Sequence, residues 1–311
     1  MANWKTSDVP DQHGRTVLIT GANSGLGLRS AHVLAARGAR VLMACRNPER
    51  GRAAQRQVAA DAAVEPELVE LDLADLSSVR AGAALVRERT GDRLDVLMNN
   101  AGVMAPPRGT TADGFELQIG TNHLGHAALT WLLMPALRTR PGARVVTLSS
   151  IGHRGGSLDL ADLSFHRRRY SPSRAYAQSK LANLLFSFEL DRRARRAGLD
   201  LRSIAAHPGM SATELPMNSL HARSLPEPVT RAARFLNGLI TQSPERGALP
   251  QLYAATSPEA TSGSYYGPGG FAEISGYPAR AKASAAAGNA ETAARLWELT
   301  AELTGVPADP A

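Results

Sequence analysis

A chain of 311 residues with 43% hydrophobic content holds enough apolar mass for a full core, as one α/β domain or divided into two. Its net charge of +7 rests almost wholly on arginines scattered along helical stretches, so the expectation is a solvated basic surface helpful to an anionic cofactor, with no nucleic-acid partner. A single cysteine, Cys45, excludes an intramolecular disulfide and a cysteine-built metal cluster. Residues 1–14 lack the basic start and apolar stretch of a signal peptide, and no run approaches the ~18 apolar residues that span a bilayer. A soluble, cytoplasmic protein without an integral membrane anchor is expected.

Residues 16–20, Thr-Val-Leu-Ile-Thr, form a short β-branched apolar run of the kind that makes a buried strand. Gly21-Ala22-Asn23-Ser24-Gly25-Leu26-Gly27 follows, then a helical pattern through Val33, Leu34 and Ala36 to a stop at Gly38. Strand, glycine-rich turn and helix start together wrap backbone amides and a positive helix end around a pyrophosphate. The second strand, residues 40–45, ends at Arg46-Asn47-Pro48, where a carboxylate would hold the ribose hydroxyls of NAD. Arg46 stands there instead, with Arg29 and Arg50 as alternatives, and a guanidinium suits the 2′-phosphate of NADP.

A helix over 49–60 leads to a third strand, residues 67–71, and to Asp72 and Leu73. Asp72 can cap the next helix, residues 76–89, or reach an adenine amino group. The fourth strand, 95–98, runs into Asn99-Asn100-Ala101-Gly102, small and amide-bearing residues that let a cofactor lie against the backbone. Asn122 falls within an apolar helix and implies a kink or a polar group serving a site. His123 and His126, three apart, lack a third ligand at motif spacing, so no metal is expected.

A fifth strand, 144–150, ends at Ser149-Ser150, and a polar, Arg-rich insertion over 152–174 is read as irregular cover for the site edge. Residues 175–197 contain no Pro or Gly and repeat apolar positions at Leu181, Leu184, Leu185 and Phe188, so they form an amphipathic helix. Tyr176 and Lys180 then lie one turn apart on one face, where the ammonium is expected to pull the phenol pKa down towards working pH. A sixth strand, 199–206, ends in His207-Pro208-Gly209. Five strands thus end in small or polar residues on one rim, the edge where open parallel sheets bind ligands. Residues 210–228 suit an apolar-lined substrate lid, with Met210, Leu215, Met217 and Leu220 on its inner side. Helices over 230–240, 244–256 and 290–303, a strand over 263–266 and a loop over 267–278 beside the substrate mouth complete the chain.

Thr20-Gly21-x-x-x-Gly25-x-Gly27, Asn99-Asn100-Ala101-Gly102, Asn122, Ser150, Tyr176-x-x-x-Lys180 and Pro208-Gly209, in this order, resemble the short-chain dehydrogenase/reductase family. Ala44-Cys45-Arg46, residues 121–126, the long gap between Ser150 and Tyr176, residues 179–183 and Tyr265-Tyr266-Gly267-Pro268 are similar to its retinol dehydrogenase-like branch, which includes the oxidoreductase attached to WW domains. The hydrophobic anchor of many members and a WW module are missing from this sequence.

The resemblance implies a single Rossmann-type α/β domain, a doubly wound parallel sheet of about seven strands with helices on both faces. It divides into a core over 15–209, a lid region over 210–240 and C-terminal elements over 241–311. It implies that Tyr176 gives the proton to a carbonyl, Lys180 lowers its pKa and holds the nicotinamide ribose, Ser150 bonds the substrate oxygen, and Asn122 supports a water-linked relay with Lys180. It also makes Gly209 and Thr213 neighbours of the nicotinamide, Asp72 an adenine contact and Arg46 the 2′-phosphate ligand. The expected activity is NADP-dependent interconversion of a lipophilic alcohol with its aldehyde or ketone. An NAD-preferring dehydrogenase of the same fold and a non-catalytic NADP-binding regulator are the alternatives. The family includes homo-oligomers built through the two long helices as well as monomers, and the sequence does not choose between them.

Overall fold

The structure, a computed structural model, describes residues 3–210 and 243–311. Most of the expected lid and the helix over 230–240 therefore lie outside the described residues.

Strand β1 (Thr16–Thr20) buries Val17, Leu18 and Ile19 completely, and β2 (Arg40–Cys45) buries every residue after Arg40. Such continuous apolar runs are what parallel strands need when helices cover both faces. Between them α1 (Gly25–Ala36) begins at Ser24, which makes no side-chain cap bond, so the first-turn amides keep their polarity for another partner. Helix α2 (Pro48–Ala59) and helix α3 (Leu76–Thr90), on either side of β3 (Glu67–Glu70), are conventionally capped. Asn47 accepts from the Arg50 amide at 2.8 Å, and Asp75 accepts from Ser77 and Ser78 at 2.8 and 3.3 Å.

After β4 (Val96–Asn99), the segment expected to be one helix through Asn122 is broken into a turn at Leu117–Ile119, a π-helical turn at Gly120–Leu124 and helix α4 (Gly125–Arg138). The polar residue thus marks a change of helical pitch of the kind that gathers at functional sites. Strand β5 (Ala143–Leu148), helix α5 (Pro172–Arg196), strand β6 (Leu201–Ala206), helix α6 (Leu249–Thr256), strand β7 (Tyr265–Pro268), strand β8 (Pro278–Arg280) and helix α7 (Ala290–Thr304) follow.

The sheet has eight strands in the order β3-β2-β1-β4-β5-β6-β7-β8, parallel from β3 to β7. The doubly wound α/β fold is as expected. The strand count is not, because Pro278–Arg280 pairs antiparallel with Tyr266–Pro268 in a stretch expected to be loop. Three residues that include a proline give no alternating pattern to read, and an edge position tolerates the missing amide. The chain reverses its direction of travel across the sheet between β1 and β4, so the rim opens a crevice at their carboxyl ends.

The two long helices through which oligomers of the resembled family are built are packed by α7. Trp297 is buried, stacked on Phe186 with ring centroids 5.2 Å apart and edge-on to Trp131 at 4.9 Å. Trp297→Ala is expected to cost about 3–5 kcal/mol of unfolding free energy in a urea titration, as for other large aromatic truncations in a packed core.

Candidate active site

Helix α5 is seated on the carboxyl end of β5 by polar contacts that a sequence pattern cannot display. The Leu148 carbonyl accepts from Asn183 Nδ2 at 2.9 Å and from Lys180 Nζ at 3.3 Å, and Ser149 Oγ donates to the Lys180 carbonyl at 2.7 Å. Ser150, the next residue, caps a 3₁₀ turn at Ile151–Gly155, accepting from the Gly152 amide at 3.1 Å. This register sets the Ser150 side chain and the Tyr176 ring side by side around Gly152. Gly152 lets the two approach closely, since a Cβ there would lie 3.3 Å from the Tyr176 ring and 3.4 Å from Ser150 Oγ.

Lys180 is 5% exposed, and its Nζ stands 5.8 Å from the Tyr176 ring centroid. Burial pulls its pKa down to about 8. The Tyr176 phenol moves the opposite way to the expectation: burial raises it above the ordinary value, with the Ser150 hydrogen bond opposing. The correction has a simple cause, since desolvation penalises the phenolate and the ammonium at this distance does not offset it.

Asn122 sits behind this pair. Its Oδ1 accepts from the Val103 amide at 2.8 Å, while Nδ2 donates to the Val103 carbonyl at 3.0 Å and to Ser179 Oγ at 2.9 Å. Ser179 in turn donates to the Tyr176 carbonyl at 2.8 Å. Gly102 lies between Asn122 and Lys180, since a Cβ on it would stand 3.1 Å from Asn122 Oδ1 and 3.4 Å from Lys180 Nζ.

A cleft of about 290 Å³ runs along the rim at the carboxyl ends of β1, β2, β3 and β4; Ser150, Tyr176 and Lys180 do not line it, but Gly102 on its lining adjoins Lys180. Its lining includes Gly21, Asn23, Ser24, Gly25 and Leu26 at the start of α1, Arg46 at the end of β2, Asp72 and Leu73 after β3, and Asn100, Ala101 and Gly102 after β4. Gly21 and Gly25 have φ of 67° and 53°, which glycine adopts without strain, and a Cβ on Gly21 would press on Ala101 at 3.0 Å. The uncapped amides of α1 line one part of the cleft and exposed Arg46 and Arg50 another, a donor set that fits a pyrophosphate and a further phosphate. Thr121 Oγ1 is buried on the lining without a hydrogen-bond partner among the described residues, as a ligand-facing hydroxyl would be.

The remaining expected site residues are placed differently. Gly27 permits close packing of α1 against Gly21 and Asn100 and does not line the cleft. Asn99 is buried and donates to Thr130 Oγ1 at 2.9 Å, bracing α4, because successive side chains of a strand point to opposite faces. Asp72 does not cap α3, a task that Asp75 performs; its Oδ1 accepts from the Ala74 amide at 2.9 Å. Arg29 lines a separate groove with Thr6, His32 and Asp61, while Arg46 and Arg50 line the cleft. Pro208 and Gly209 form the turn after β6, where Gly209 has φ of 66° and donates its amide to His207 Nδ1 at 3.1 Å. Thr213 lies outside the described residues.

Sequence reasoning missed several contributors. Val103, Met104 and Pro106 line the cleft directly after the Asn-Asn-Ala-Gly string, and their adjacency to it was the available signal. Gln251 on α6 gave none, yet its Nε2 reaches Ser30 Oγ at 2.6 Å and Asn100 Oδ1 at 3.3 Å behind the glycine turn. His153 donates through Nδ1 to the Ser150 carbonyl at 2.6 Å and holds that turn. Glu273 binds His207 Nε2 at 3.1 Å and Arg154 Nη2 at 2.7 Å, tying the ends of β6 and β7 to the Ser150 turn. No group of metal-binding side chains occurs among the described residues, and no described helix is long and apolar enough to cross a membrane.

The short chain dehydrogenase model matches residues 15–224, and the chain belongs to the short-chain dehydrogenase/reductase family of oxidoreductases. Within it the sequence is retinol dehydrogenase-like: "Retinol dehydrogenase 13" of Homo sapiens is 39% identical over 298 residues, 95% of this chain and 86% of that protein. "Polyprenol dehydrogenase" of Mus musculus is 43% identical over 256 residues, 81% of this chain and 74% of that protein. A crystal structure of an uncharacterized protein from Mycobacterium Paratuberculosis superposes with a TM-score of 0.82 at 45% identity, covering 99% of both chains.

The depressed Lys180 pKa has a measurable consequence. Between about 8 and its ordinary 10.5 the unfolded chain binds more protons at this residue than the folded one, so its contribution to stability becomes more favourable as pH rises through that window. The stability difference between wild type and Lys180→Met should therefore shift by up to ~1 kcal/mol in favour of wild type between about pH 8 and 9, read from urea unfolding.

Proposed function

We propose that this protein is an NADP-dependent oxidoreductase that interconverts a lipophilic alcohol with its aldehyde or ketone, using Tyr176 as general acid and base. The observation that carries the reading is the nearness of a phosphate-fitting cleft to buried Lys180 through its lining residue Gly102, with Tyr176 beside that lysine and Ser150 beside Tyr176. The glycine turn and α1 amides would hold the pyrophosphate, Asp72 and Leu73 the adenine side, Arg46 with Arg50 the 2′-phosphate, and Lys180, Pro208 and Gly209 the nicotinamide end. When bound, the dinucleotide supplies the hydride exchange that changes the substrate's oxidation level.

The chain's own part is to hold the substrate oxygen and move one proton. Ser150 Oγ, beside the Tyr176 ring, would bond that oxygen. A phenol raised by burial stays protonated at neutral pH and is ready to donate in the reducing direction. Lys180, near 8, is the neighbouring group able to exchange a proton at working pH. With the Asn122 side chain committed to Val103 and Ser179, a water-linked relay would use its main-chain carbonyl. The names of the retinol and polyprenol dehydrogenases support a lipophilic alcohol, as do Val103, Met104 and Pro106 on the lining.

A screen of aldehydes, ketones and alcohols with both dinucleotides tests the reading. NADPH or NADP is expected to be the better cofactor, and Arg46→Ala should weaken its binding about tenfold while leaving NADH binding nearly unchanged. A strong NAD preference would overturn the 2′-phosphate assignment. Tyr176→Phe is expected to lower kcat by more than ~10²-fold with cofactor binding intact. Unchanged turnover in that variant would favour the non-catalytic regulator.

A further inference from the structure

His126 is one of two histidines that the family motif string contains and that no metal explains. It is 2% exposed, on the first turn of α4, between the cleft and the catalytic helix. Its Nδ1 lies 3.0 Å from the Asn122 main-chain carbonyl. A carbonyl only accepts, so Nδ1 carries the ring proton and Nε2 is an acceptor. Nε2 lies 2.9 Å from Thr20 Oγ1. That hydroxyl already accepts from the Asn100 and Ala101 amides, both at 2.9 Å, and has one proton to give. His126 Nε2 is the nearer recipient, since the competing Met98 carbonyl is 3.3 Å away.

The directions of the bonds are therefore determined along the whole path. Asn100 and Ala101 amides donate to Thr20, Thr20 donates to His126, and His126 donates to the Asn122 carbonyl. Asn122 continues the path through its own side chain to Ser179 and, from there, to the Tyr176 carbonyl. Burial holds the imidazole pKa down to about 3, with the Lys180 charge acting in the same direction, so the ring stays neutral and its polarity does not reverse. Thr20, Asn100 and Ala101 line the dinucleotide cleft. Asn122 lies in the π-helical turn, and its carbonyl accepts from the His126 ring.

We infer that His126 is a positioning residue that couples the floor of the dinucleotide cleft to the Asn122 turn behind the catalytic tyrosine, with its two ring nitrogens serving separable ends. Nε2 sets the Thr20-Asn100-Ala101 floor and thereby dinucleotide affinity. Nδ1 sets the Asn122 carbonyl and thereby turnover. The inference rests on the oxidoreductase reading proposed above.

Two amide substitutions divide the ring's contacts. Asparagine places its amide near the Nδ1 position and glutamine near Nε2. His126→Asn keeps a donor for Asn122 and loses the Thr20 link, so the Kd for NADPH should rise about tenfold, with a smaller fall in kcat. His126→Gln keeps an acceptor for Thr20 and loses the Asn122 link, so kcat should fall about tenfold, with a smaller rise in Kd. Kd is read by NADPH fluorescence titration without substrate, kcat on a carbonyl that the wild type reduces, and folding by the urea midpoint of each variant.

If both parameters move together in both variants, or neither moves, the inference is overturned. Should either variant fail to fold, Thr20→Val breaks the Nε2 link from its other end. It is expected to raise the NADPH Kd by a larger factor than it lowers kcat, and an unchanged Kd overturns the inference. A wild type that binds neither dinucleotide removes the functional reading as well, whereas a wild type that binds and turns over without the split removes this inference alone.

Discussion

The carbonyl of Leu148 receives both Asn183 and Lys180 from a neighbouring helix, and the geometry of the site depends on that shared acceptor. Without it, burying a lysine to 5% exposure beside the end of a strand would leave an ammonium with no protein acceptor. With it, α5 is locked in register against β5, and Tyr176 meets Ser150 because the two residues lie on the locked elements. The depressed Lys180 pKa and the raised Tyr176 pKa are two results of the same desolvation. Both shifts come from desolvation, and no single opposite charge causes either.

The second constraint is the reversal between β1 and β4, which opens a crevice at their carboxyl ends. Different elements supply different chemistry to it: unpaired amides at the start of α1, guanidinium groups after β2, and close backbone approach at Gly21 and Gly102. The histidine bridge behind the cleft connects these parts, through Asn122 and Ser179, to α5 by hydrogen bonds whose directions are set by neutral, buried groups. Buried polar networks of this kind are costly if any member is unsatisfied, and they specify one arrangement when all are satisfied. On the other side of the rim, the Glu273 carboxylate plays a comparable tying role for the ends of β6 and β7.

Much of this could be read from the chain. The buried strands were legible because fully covered parallel strands are continuous apolar runs, and the glycine turn because its context of strand and helix is local. Tyr176 and Lys180 were legible as a pair by helical spacing. The direction of the tyrosine's pKa was not, because spacing records which charge is near and says nothing of how much water is left. Asn99 and Asn100 are adjacent in sequence, yet one braces α4 and the other lines the cleft, a difference set by which face of the sheet each side chain meets. Strand β8 left no pattern, since its pairing partner lies across a turn and its three residues include proline.

By itself the sequence determined the fold class and the family, because these depend on periodicity and on motifs whose spacing is local. Tertiary structure alone decided the depth at which Lys180 and Tyr176 are buried, the π-helical turn at Asn122, the separation of Arg29 from the cleft, and the link through His126 to Thr20, 106 positions away. Those features arise from desolvation and from hydrogen bonds between distant segments. Both come into being only when the helices have closed over the sheet.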